Sequence, residues 1–89
     1  NILNDAYDML SVFPNPTSGK TEVIFNTYSK QSVSLKVMSN DGRLIVNTTL
    51  DAVAGGNRFD LDLIDYTPGL YFIAITTAEK TYTTKLLKK

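Results

Sequence analysis

The chain has 89 residues with no cysteine, histidine or tryptophan, which removes zinc or haem ligation by Cys or His, thiol redox chemistry and nucleophiles activated by a histidine base. Nine basic residues balance nine acidic ones, so no global field draws the chain to nucleic acid or to an anionic membrane. A chain of this mass buries about 64% of its unfolded surface, enough for one thin core in a single domain.

Residues 1 to 9 read as a linker, and residues 10 to 89 as the domain. The short apolar run Leu10 to Phe13 predicts a first strand. The segment Phe13-Pro14-Asn15-Pro16-Thr17-Ser18-Gly19 then reads as a rigid turn: prolines fix φ, Asn and Ser bond back to the backbone, and Gly closes it. In Lys20 to Thr27, Thr21, Val23 and Phe25 share one face against Lys20, Glu22 and Asn26, with only Ile24 breaking the alternation of a half-buried strand. Val33, Leu35 and Val37 alternate with polar neighbours, as do Leu44, Val46 and Leu50. Between these two runs lies Ser39-Asn40-Asp41-Gly42, whose residues tolerate the positive φ of a tight hairpin. The two strands are therefore expected to be antiparallel neighbours.

Phe59, Leu61 and Leu63 against Arg58, Asp60 and Asp62 give the clearest alternation, entered through Gly55-Gly56. Leu70 to Thr77 is apolar on both faces and β-branched or aromatic, which predicts a central strand covered on both sides, started by the Pro68-Gly69 turn. Lys80 to Lys88 completes a set of about seven strands. No segment carries a 3.6-residue period over ten or more positions, so the reading is all-β, an immunoglobulin-like antiparallel β-sandwich.

Charge is unevenly distributed. Residues 76 to 89 hold Lys80, Lys85, Lys88 and Lys89 against Glu79, net +3, leaving net −3 in the preceding 75. No apolar run approaches the roughly 18 residues of a membrane span, no secretory signal pattern is present, and no direct membrane insertion is expected. The sequence begins at Asn1, without an initiator Met, and reads as a piece of a longer protein.

Candidate chemical sites have plain structural explanations. Gly19-Lys20-Thr21 ends like a phosphate-binding loop, but Pro14 stands where that loop needs its first Gly. Asp60, Asp62 and Asp65 offer three carboxylates to Ca²⁺, yet strand alternation sends Asp60 and Asp62 to a solvated face beside Arg58. Paired acids on a flat sheet also lack the cleft of a glycosidase. Asn47-Thr48-Thr49 fits a glycosylation acceptor, inside a predicted strand. Tyr28, Tyr66, Tyr71 and Tyr82 offer a stacking platform for sugars, against the commoner role of part-buried tyrosines with wet hydroxyls. No catalytic residue, cofactor or metal site is assigned.

The order of the short motifs is more specific than any one of them. Phe-Pro-Asn-Pro-Thr at 13 to 17 with Gly19, then Asp41-Gly42-Arg43-Leu44, then Pro68-Gly69-Leu70-Tyr71-Phe72, then Lys85-Leu86-Leu87-Lys88-Lys89 resembles the C-terminal sorting domains of type IX secretion cargo. The resemblance spans residues 11 to 89. It implies a non-catalytic immunoglobulin-like domain at the C-terminus of a secreted protein of a Gram-negative bacterium, linked covalently to an upstream cargo. The cargo would reach the periplasm by a separate signal, then be addressed to the outer-membrane translocon. A sortase-like protease would remove the domain, and the cargo would be released or joined to lipopolysaccharide. On this resemblance Lys85, Leu86, Leu87, Lys88 and Lys89 form the tail signal, Gly69 and Tyr71 hold the penultimate strand, Pro14, Asn15 and Pro16 mark the opening turn, and Gly19 and Gly42 complete the motif.

Residue chemistry gives the tail a parallel reading. Lysines at a chain end stay solvated, while Leu86 and Leu87 on a terminal strand offer apolar and backbone groups to a partner sheet. The competing expectation is an accessory sandwich of a secreted hydrolase, either a carbohydrate-binding module or a spacer.

Overall fold

The computed structural model describes residues 10–89, and the stretch read as a linker lies outside the described residues. Seven strands follow in order: β1 Ser11–Phe13, β2 Lys20–Thr27, β3 Gln31–Ser39, β4 Leu44–Ala52, β5 Gly55–Asp62, β6 Gly69–Thr76 and β7 Thr81–Lys88. They form two antiparallel sheets, ordered β1-β2-β5 and β4-β3-β6-β7, and no helix occurs among the described residues. This is the expected immunoglobulin-like sandwich, with β4 beside β3 rather than beside β5 as in constant-type domains.

Alternation puts one face of each sheet inward. Val23 and Phe25 of β2 and Leu61 of β5 meet Val33, Leu35 and Val37 of β3, Tyr71, Ile73 and Ile75 of β6, and Leu86 of β7. Each large aliphatic side chain fully withdrawn from water contributes about 1.5–3 kcal/mol. Ile24, the residue that breaks the β2 alternation, lies on the outer face and is exposed. The Ser39–Arg43 hairpin joins β3 and β4 as antiparallel neighbours. Gly42 adopts φ +87° there, a backbone conformation that costs a residue with a Cβ.

Two expectations need correction. Leu44 and Val46 do not share a face. The ladder slips between Val37 and Met38, pairing Val37 with Val46 but Met38 with Leu44. Ile45 is thus the extra residue of a β-bulge, which turns Leu44 outward, where it is exposed. β6 is central in its sheet, between β3 and β7, but is not covered on both sides. Its inner residues are buried while Leu70, Phe72 and Ala74 on the outer face are half-buried, because a sandwich sheet has one packing partner. Central position among strands is distinct from burial between layers.

Candidate functional site at one end of the sandwich

The four sequence motifs come together at one end of the molecule. The β1–β2 turn reaches across to the outer edge of β7. Asn15 works there as a substitute strand: its Nδ2 donates to Lys85 O at 2.9 Å, and its Oδ1 accepts from Leu87 N at 3.0 Å. Thr17 continues the pairing through its backbone, donating to Leu87 O at 2.9 Å and accepting from Lys89 N at 2.8 Å. The result is a short parallel bridge between Thr17 and Lys88.

This latch is held from within. Thr17 is buried, its hydroxyl donates to Lys20 O at 2.6 Å and accepts from Gly19 N at 3.1 Å, and the Thr21 hydroxyl donates to Pro14 O at 2.9 Å. Pro14 and Pro16 have no N–H to offer, so Asn15 and Thr17 supply the donors. Gly19 packs closely on Ile64, since a Cβ there would sit 3.0 Å from Ile64 Cβ and 3.1 Å from Ile64 Cα and would have to push that residue back.

The two middle motifs meet at the same end. Ser39 pairs with Tyr71, and Ser39 to Arg43 face Thr67 to Tyr71 across a small hollow of about 240 Å³. The buried Tyr71 hydroxyl donates to Thr67 O, four residues upstream. A tyrosine on the sixth strand bonding back to the preceding corner is a recurrent device of immunoglobulin-like sandwiches. At the hairpin tip, the Ser39 hydroxyl and the Arg43 amide donate to Asp41, which holds its carboxyl below its ordinary value. Gly69 begins β6 opposite Lys88, which joins the second pair of motifs to the first.

The tail itself departs from the sequence expectation. Lys85, Leu87 and Lys89 are exposed, but Leu86 is fully buried in the core and Lys88 is 7% exposed. The Lys88 Nζ reaches under the β5–β6 loop and donates to Tyr66 O at 2.6 Å and Ile64 O at 3.5 Å. A lysine expected in solvent is therefore an anchor, because strand alternation carries every second residue inward. The latch also occupies the backbone groups of Leu87 expected to be open to a partner sheet. Leu86 contributes packing and Leu87 contributes exposed apolar surface, so the two leucines have separate roles. Sequence reading missed the contact between Asn15 and β7. Its only sequence signal is a polar residue between two prolines, which does not name a partner 70 or more positions away.

The other candidates are dispersed. Asp60 and Asp62 line an open hollow of about 620 Å³ on the outer face of the three-stranded sheet, with Phe13, Pro14, Lys20 and Glu22. The sheet is thus less flat than the sequence suggests. Glu22 there pairs with Arg58 at 3.6 Å, and Asp62 Oδ1 accepts from Ile64 N at 2.9 Å. Among the described residues, no three acidic side chains are placed to hold a metal ion. Tyr71 is buried, and the exposed Tyr28 and Tyr66 lie near opposite ends of β2, so the four tyrosines form no common platform. Asn47 is exposed on the edge strand β4.

A family model described as "Secretion system C-terminal sorting domain" matches residues 11–89. No curated protein matches the chain.

Proposed function

The chain belongs to the family of type IX secretion-system C-terminal sorting domains, and from that premise we propose that it is the non-catalytic address of a covalently linked upstream cargo. It directs that cargo from the periplasm across the outer membrane by engaging the translocon, and a sortase-like protease then removes it. The observation that carries this reading is the gathering of all four family motifs at one end, with Lys85, Leu87 and Lys89 presented outward on a latched strand. An address needs surface residues that fold does not consume, and these three meet that condition. Leu86 and Lys88 support them from behind.

The test is fractionation of a type IX-competent cell expressing a reporter fused in front of the domain. The intact domain is expected to place the reporter outside the cell. Lys85→Ala with Lys89→Ala is expected to retain it in the periplasm, with an unchanged melting curve of the purified domain. Equal export by both forms would remove the tail from the address, and no export by the intact domain would leave a spacer. Truncation before Lys88 is a poor test, since it deletes a buried anchor and the Thr17 bridge together.

A further inference from the structure

The outer face of the four-stranded sheet carries an apolar row next to the motif end. Register places Leu44 opposite Met38, Met38 opposite Phe72, and Phe72 opposite Lys85, and side chains in register share a face. Leu70 and Leu87 form the adjoining pair. Met38, Leu44 and Leu87 are 42%, 46% and 44% exposed. Three large apolar side chains of one small sandwich thus lie half in water, clustered rather than scattered, which marks an interaction surface.

Two cations flank this row. Lys85 ends the apolar row, and Lys36, two residues before Met38 on the same face, opens the next. Neither forms an ion pair among the described residues. Asp41, at the hairpin tip beyond Leu44, keeps an exposed carboxylate that accepts from the Ser39 hydroxyl and the Arg43 amide, and it forms no ion pair with either lysine. Asp51 shares the outer face but pairs with Ser32, four residues along β3 from Lys36, or about 13 Å. That is beyond the roughly 8 Å over which exposed charges act at physiological salt. The lysines are therefore left to an external partner.

We infer that this corner is the docking surface for a protein of the export machinery that presents an apolar centre rimmed by carboxylates. The inference rests on the sorting reading and extends it: recognition is a face built from β3, β4, β6 and β7, of which the tail supplies only Lys85 and Leu87. A protein fits better than a bilayer. Strand side chains that keep about half their surface against neighbours project too little to enter an acyl layer, which takes an apolar face buried roughly 5–10 Å deep. A rim of opposite charge also sets encounter rate and register without tight affinity, as suits a passenger that must be released.

The experiment uses the same reporter fusion with changes far from the tail in sequence. Lys36→Glu, and separately Met38→Ser with Leu44→Ser, are each expected to lower the exported fraction about tenfold. Lys30→Glu, an exposed change of equal charge between β2 and β3, should export as the parent does. Thermal melts accompany each variant, and Lys36→Glu on an exposed strand position keeps the fold intact. Parental export by both face variants, alongside loss on Lys85→Ala with Lys89→Ala, would overturn the face in favour of a linear tail. No export by the unmodified domain would instead overturn the sorting reading beneath it. Sedimentation of the domain with phosphatidylglycerol vesicles, abolished by Lys36→Glu, would replace the protein partner with a membrane.

Discussion

The two faces of β7 have opposite roles within five consecutive residues. On the inner face Leu86 completes the core and Lys88 closes it, holding two carbonyls of the β5–β6 loop. On the outer face Lys85, Leu87 and Lys89 meet solvent, while the strand's edge is fastened by Asn15 and Thr17. A motif that is continuous in sequence is thus interleaved in space, two residues turned into the fold and three turned out to solvent. Any change to the block as a whole mixes the two effects, and only single positions separate them.

The inner face should show the largest effects. Leu86→Ala empties a fully buried position and is expected to cost about 2–5 kcal/mol. Since a domain of this size is stable by only about 5–13 kcal/mol, its melting temperature should fall by more than 8 °C. A melt within a few degrees of the parent would contradict the inward assignment of Leu86. Lys88→Met keeps the aliphatic stem but removes the donor from Tyr66 O and Ile64 O. Hydrogen bonds made by charged groups contribute about 1.5–3 kcal/mol, so a loss near 2 kcal/mol is expected in denaturant titration. Stability equal to the parent would make Lys88 a packed stem with an idle ammonium.

The division between faces explains how far the sequence could be read. Period-two patterns in 20–27, 32–37 and 58–63 placed strands because half-burial leaves its mark on composition. Pairing of β3 with β4 followed from the Ser39–Gly42 turn. Two kinds of feature left no such mark. The bulge at Ile45 is a single extra residue in an apolar run, so Leu44 kept its hydrophobic appearance while its direction reversed. Lys88 looked solvated because lysine usually is, and its loop partners, more than 20 residues away in the chain, are main-chain carbonyls with no identity in sequence. The latch is hidden for the same reason, since Asn15 bonds the backbone of β7 rather than its side chains. The order of the four motifs was legible, but their meeting at one end required the fold.

The edge stands between the two faces in expected size. Asn15→Ala removes both side-chain bonds to Lys85 O and Leu87 N, which lie at the exposed rim, where water replaces them in part. A net loss of about 1 kcal/mol is expected. The local effect should be larger than the global one. Amide exchange at Leu87 should quicken while exchange in β3 is unchanged, and equal exchange at Leu87 in both forms would mean that Thr17 alone carries the latch.

The outer face should be almost silent in stability, and this smallest effect is the most discriminating. Lys85→Ala with Lys89→Ala removes two exposed side chains that form no ion pair among the described residues, and the Asn15 and Thr17 bonds go to backbone atoms that alanine retains. Exposed substitutions away from caps and cores stay within about 0.5 kcal/mol, so the midpoint of a thermal melt should move by less than about 4 °C. The same double variant carries the expected loss of export. A lowered melt would mean that the exposed lysines also support the fold, and the two faces of β7 would no longer be separable. An unchanged melt together with lost export assigns recognition to the outer face, since a folded domain that stays behind has lost only its surface.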